Sequence, residues 1–170
     1  DCARHPDRLI PFANMDPRRG TNDGNYDFYP VLKEYADLGC KGFGEILANV
    51  TTHDPRMHGI YRACGKLGFP IVMDFRAGAA VGVIDPVGMP YLEECLRAFP
   101  DTIFVGHGPS WWAEISADVT PEQKHGYPQG PLQVPSKMDQ LLETCPNLYA
   151  DLSANSAYNA LTRDPVYSRQ

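Results

Sequence analysis

Apolar positions along this chain fall in short blocks separated by stretches of helical spacing. Residues 8–14 (RLIPFAN) read as a buried strand, ended by Asp16-Pro17 and followed by a Gly/Asn/Asp loop to Asn25. From 28 to 38 the apolar side chains Val31, Leu32, Tyr35 and Leu38 recur at helical spacing, and Gly39 suits the residue just past a helix end. Residues 41–46 (KGFGEI) form the next strand candidate. Asp54-Pro55 then supplies an N-cap with proline in the first turn. The helix it starts carries Met57, Ile60, Tyr61, Cys64 and Leu67 and stops at Gly68.

The same alternation continues. Residues 70–75 (PIVMDF) read as a strand, 88–99 as a helix with Tyr91, Leu92, Cys95 and Leu96 on one side, and 102–107 (TIFVGH) as a strand. A long loop rich in Gly, Pro and Trp follows. Ser136 caps a helix running through Leu141 and Leu142, residues 148–152 (LYADL) form a strand, and a helical stretch begins near Ala157. Short apolar strands separated by amphipathic helices predict an α/β fold with a parallel sheet and right-handed crossovers, either a barrel or a doubly wound sheet. The glycine patterns of nucleotide-binding turns are absent from the sequence, which lowers the second option.

Composition narrows the classes. The net charge of −6, with Arg18-Arg19 the only basic doublet, gives no electrostatic case for nucleic acid or an anionic membrane. No apolar run reaches the roughly 18 residues of a membrane helix. The five cysteines, Cys2, Cys40, Cys64, Cys95 and Cys145, form no C-x-x-C pair and read as free thiols of a reducing compartment, hence cytoplasmic. Asn49-Val50-Thr51 fits a glycosylation triplet, a pattern common by chance. Residues 1–5 resemble the tail of a helix, and residues 167–170 have no terminating element. The chain therefore reads as one incomplete domain spanning 1–170.

Chemistry collects at the strand ends. Glu45, Asp74, His107 and Asp151 each close an otherwise apolar stretch, and alternation pairs them on one face with Phe43, Val72, Val105 and Tyr149. In parallel α/β folds ligands bind at the carboxyl ends of strands. One imidazole with two or three carboxylates suits a divalent metal, Zn²⁺ first and Mn²⁺ or Fe²⁺ next, which would activate water and polarise a carbonyl. His107 lies between Gly106 and Gly108, where a ligand can approach closely. It is the leading candidate for metal ligation and proton transfer, with Glu45 as a second catalytic group and Asp74 as a second ligand. Each has a structural alternative: a loop-capping role for Asp74, pairing with Lys41 or an Arg for Glu45, and an N-cap role for Asp151. Trp111 and Trp112 either wall an apolar substrate pocket or plug the core under a long loop. Arg76 is placed to hold a substrate carboxylate, and Asp151 is a further substrate-binding candidate. His53, His58 and His125 read as solvated, the last in a polar loop with Lys124.

The runs PDRLIPFANMDPR, LKEYADLGCKGFGEI, DPRMHGIYRACGKLGFPIVMDF, FPDTIFVGHGPSWWAEIS and CPNLYADLSANSAYNALTRDP resemble the amidohydrolase-related family, in the branch of the aminocarboxymuconate-semialdehyde decarboxylases. The resemblance spans Pro6 to Pro165. It implies a (β/α)8 TIM barrel, present here as about strands 3–7, with a mononuclear metal site. His107 then takes the place of the sixth-strand His. Asp74 stands where the family commonly has a metal-binding His on the fifth strand. An H-x-H motif and a G-[TS]-D motif would lie outside this sequence. The implied activity is metal-dependent hydrolysis of a small organic acid, amide or lactone, with non-oxidative decarboxylation as the alternative and a homodimer as the implied assembly. Two other readings stay open: a catalytically inactive barrel fragment acting as an interaction module, and a metal-independent lyase using Glu45 and His107.

Overall fold

The computed structural model describes residues 2–76, 78 and 80–167; Asp1 and residues 168–170, at the two ends that read as cut, lie outside them. Its centre is a parallel sheet of strands β1 (Phe43–Ile46), β3 (Ile71–Asp74), β5 (Phe104–His107) and β6 (Leu148–Ala150), in the order β1-β3-β5-β6. Helices α1 (Tyr29–Asp37), α2 (Pro55–Leu67), α3 (Pro90–Ala98), α5 (Lys137–Thr144) and α6 (Ala154–Thr162) alternate with the strands. This is the expected mixed α/β architecture with parallel strands. No described helix is long and apolar enough to cross a membrane.

Local signals explain the ends of two helices most directly. Asp54 accepts a hydrogen bond from the Arg56 amide at 2.9 Å, and Gly68 closes α2 at φ +66°, a left-handed conformation that glycine adopts without a Cβ penalty. Ser136 and Asp139 form a reciprocal capping box at the start of α5. Helix α3 departs from this pattern. It begins at Pro90 rather than Gly88, and its N-cap residue Met89 offers no side-chain bond. The carboxylate of Asp85 accepts instead from the amides of Tyr91 (3.1 Å) and Leu92 (2.8 Å).

Three expectations need correction. Residues 8–14 form no strand; a single parallel bridge joins Ala13 to Phe43, although Pro11 O and Ala13 O accept from the amides of Lys41 and Gly44. Pro11 has no N–H to donate, so the ladder cannot continue through it. The loop after β5 opens with a helix, α4 (Pro109–Ala113), and a second small parallel pair, β2 (Val50–Thr51) with β4 (Val83–Ile84), lies in segments that the sequence pattern assigns to no element. Both strands of that pair have only two residues, too few to show a period. The last helix starts at Ala154, earlier than its first apolar repeat near Ala157.

The two faces of the sheet differ. Phe43, Ile71, Phe104 and Leu148 are in register and buried, as are Ile46, Met73 and Gly106. This face meets the helices and holds the main core. On the opposite face Val72 and Val105 are half-buried and Tyr149 is 55% exposed. Parallel sheets are normally covered on both sides. Here the face that carries the strand-end carboxylates and His107 is the open one.

Charge is buried within the connecting loops. Lys124 and Glu114 form an ion pair with side chains 3% and 2% exposed. Lys124 also donates to Pro86 O at 2.7 Å, and both Glu114 oxygens accept from the Gly88 amide. The pair ties the segment after β4 to the segment after α4. Lys124, expected in an exposed polar loop, is therefore a structural cation. Asp85 lies near it, and burial pushes its carboxyl up to about 6 against the lowering effect of its hydrogen bonds and of Lys124.

That shift sets a pH dependence. The folded chain binds the Asp85 proton more tightly than the unfolded chain, so this group favours folding below about pH 4. Its contribution declines as pH rises to about 6, by about 2–3 kcal/mol at ~1.36 kcal/mol per pKa unit. Urea denaturation of the wild type and Asp85→Asn at pH 4 and pH 7 checks this. Relative to the variant, the wild type should lose that amount between the two values, and parallel behaviour of the two proteins would contradict it.

Candidate metal centre

Register brings the chemistry together. Asp74 and His107 are direct neighbours across β3 and β5, each the last residue of its strand. Glu45 arrives by a different route. Phe43 pairs with Ile71, but Ile46 pairs with Met73, so β1 carries one extra residue between them. Strict alternation would have left Glu45 on the same side as Phe43, against the helices. The irregularity turns it to the open face instead. Gly44 permits this: at φ +125°, any Cβ there would stand 2.7 Å from Val72 O.

Glu45, Asp74 and His107 each offer a ligand atom, and the three atoms lie within 4.8 Å of one another. His107 Nε2 is 3.0 Å from Glu45 Oε1. Asp74 is fully buried. Its Oδ2 accepts from Arg76 Nε, while its Oδ1 has no hydrogen-bond partner among the described residues. An uncompensated carboxylate oxygen in the interior is costly, and a cation is the partner that would relieve it. Gly108 makes room for this atom. It adopts φ +92°, and a Cβ at that position would meet Asp74 Oδ1 at 2.3 Å.

The remaining candidates take other places. Asp151 is not in the group of three; it sits on the far side of the imidazole, with Oδ2 bonded to His107 Nδ1 and to Ser153 Oγ. Burial raises its carboxyl, and the bonds from Ser153 and His107 outweigh that, leaving it below the usual carboxylate range. Arg76 spends its Nε on Asp74, so it is first a partner of the site and only secondarily available to a substrate. Trp111 has no exposed surface. It packs over Gly106, where a Cβ would lie 2.3 Å from the indole, and near Phe75, with ring centroids 6.0 Å apart. This is the plug reading of Trp111, because a side chain without exposure cannot line a pocket. Trp112 is 4% exposed and donates from Nε1 to Asp151 O at 3.2 Å.

The other histidines are not all solvated as expected. His53 stacks on Tyr91 with centroids 3.7 Å apart and a buried Nδ1. His58 is half-buried beside Phe99, and desolvation holds its pKa below the ordinary value. His125 is exposed. Sequence reasoning missed Ser153 as a partner of the site. The D-x-S spacing was visible, but it pointed equally to a helix cap.

No family model, curated protein or solved structure matches this chain.

The close approach at Gly108 is directly testable. Gly108→Ala should destabilise the protein by about 1–3 kcal/mol, through crowding against Asp74 and an unfavourable backbone conformation. Chemical denaturation measures it; unchanged stability would mean that the Asp74 carboxylate does not rest against Gly108.

Proposed function

We propose that this chain is part of an amidohydrolase-type metal-dependent hydrolase, built as a partial (β/α)8 barrel whose interior is the open face of the sheet. The observation that carries the reading is the convergence of Glu45, Asp74 and His107, with Asp74 buried and its Oδ1 without a hydrogen-bond partner among the described residues. Two carboxylates held this close repel each other unless a positive charge lies between or beside them. Arg76 answers part of that charge from the Oδ2 side. The single helical layer supports the barrel reading, since the inside of such a barrel carries side chains and not helices.

The donor set of two carboxylates and one imidazole fits a divalent ion. Zn²⁺ is the first choice on general affinity, and Mn²⁺ and Fe²⁺ also accept oxygen-rich sites. When bound, such an ion supplies Lewis acidity and generates a hydroxide-like nucleophile near neutral pH. His107 presents Nε2 to the group of three, and Glu45 is its most accessible member, with a side chain 38% exposed. With His107 Nε2 and one Glu45 oxygen turned to the ion, the second Glu45 oxygen would be the group that accepts a proton from an attacking water and passes it to a leaving group. Arg76 places positive charge beside the site, which favours a small organic acid or another anionic carbonyl compound as substrate. The same residues would serve a decarboxylase.

Metal analysis tests the proposal. The purified chain, equilibrated with Zn²⁺ or Mn²⁺ at neutral pH, should hold one equivalent. Asp74→Asn and His107→Ala should each weaken binding by more than the ~10–100-fold typical of losing an outer partner of a ligand. A wild-type protein that retains no stoichiometric metal would overturn the reading in favour of an inactive fold.

A further inference from the structure

We infer that Asp151, clamped by Ser153, is a positioning residue that fixes the tautomer and orientation of His107 so that the Nε2 lone pair faces Glu45 and Asp74. The inference rests on the metal-centre reading for its purpose, though not for its geometry.

Asp151 is itself held in place. Its Oδ1 accepts from Ser153 N at 3.0 Å, and its Oδ2 accepts from Ser153 Oγ at 2.6 Å as well as meeting His107 Nδ1. The backbone on either side is tied down. Asp151 N donates to Gly106 O at 2.9 Å, and Trp112 Nε1 donates to Asp151 O. A carboxylate fixed at both oxygens cannot swing to follow the ring; the ring must conform to it. The imidazole has little freedom to do otherwise, since its side chain is only 12% exposed.

The competing structural role is helix capping, and the contacts do not support it. Ser153 is the N-cap residue of α6 and makes no side-chain cap bond; Asp151 bonds to Ser153 itself rather than to an amide inside the helix. What remains is the bond to His107. An ionised carboxylate only accepts, so the proton in that bond belongs to Nδ1. A neutral imidazole in water prefers its proton on Nε2. In the metal-free protein Glu45 Oε1, 3.0 Å from Nε2, competes for that proton, but it is the more exposed carboxylate, 38% against 26% for Asp151, and Asp151 is clamped by Ser153. Asp151 therefore reverses the preference of the neutral ring and turns the Nε2 lone pair toward Glu45 and Asp74. The arrangement is a carboxylate–histidine pair aimed at a cation.

Nitrogen-15 spectra of histidine-labelled, metal-free protein at about pH 9 read the tautomer, with His107→Gln identifying the signal. The wild type should show neutral His107 protonated at Nδ1. Asp151→Asn should return it to the Nε2–H form, because the carboxamide can donate to the ring. The same variant should weaken Zn²⁺ binding by ~10–100-fold. An Nε2–H tautomer in the wild type overturns the inference, even if the variant does not fold, and so does an unchanged tautomer in a folded Asp151→Asn. Absence of Zn²⁺ binding in the wild type would defeat the metal reading, while the tautomer would still decide the role of Asp151.

Discussion

Parallel pairing of β3 with β5 sets Asp74 beside His107, and the rest of the site is arranged around that contact. Because side chains alternate along a strand, a slip of one residue in either strand would send one of the two into the helix-covered core. The buried pairs Ile71–Phe104 and Met73–Gly106 hold the register, since exposing them would forfeit the main hydrophobic gain of the sheet. Packing on one face therefore fixes chemistry on the other. Glu45 is the informative exception: it joins the group only because β1 breaks the alternation that the other strands keep.

Glycines at the end of β5 serve both sides of this arrangement. Gly106 leaves space for the Trp111 indole under the sheet, and Gly108 leaves space for Asp74 Oδ1 above it. Trp111 plugs the core while its neighbour Trp112 reaches the Asp151 carbonyl. Of two tryptophans in a row after a strand, one packs in the core and the other supports the Asp151 backbone while lining a small cleft with Tyr127 and Arg163.

Much of this was legible in the chain. The strand-helix alternation follows from apolar blocks and from the caps Asp54, Gly68 and Ser136, whose signals are local. The strand-end residues Glu45, Asp74 and His107 were visible because each interrupts an apolar run. What was not legible depends on contacts distant in sequence. Lys124 and Glu114 look like ordinary surface charges until the loop between them folds back and buries both. Asp151 was found, but its role was not, because whether a D-x-S turn caps a helix or supports a ring depends on what lies across the sheet.

The aspartate at position 74 makes the electrostatics of the site unusual. An imidazole there would bring no charge, and the group would contain one carboxylate. With Asp74 there are two, and Asp151 adds a third on the other side of His107. Arg76 neutralises one of them, and its placement two residues beyond Asp74 lets the same strand end supply both charges. The remaining negative charge is shared by Glu45 and Asp151, which contact opposite nitrogens of one ring. A protonated His107 balances only one unit of it. A divalent cation held by Glu45, Asp74 and Nε2 would balance the remainder, let the ring stay neutral, and answer the charge of Asp74, whose Oδ1 has no partner among the described residues. Asp151 stands outside the group of three and bonds to Nδ1, a position from which a carboxylate would strengthen a metal-ligating imidazole.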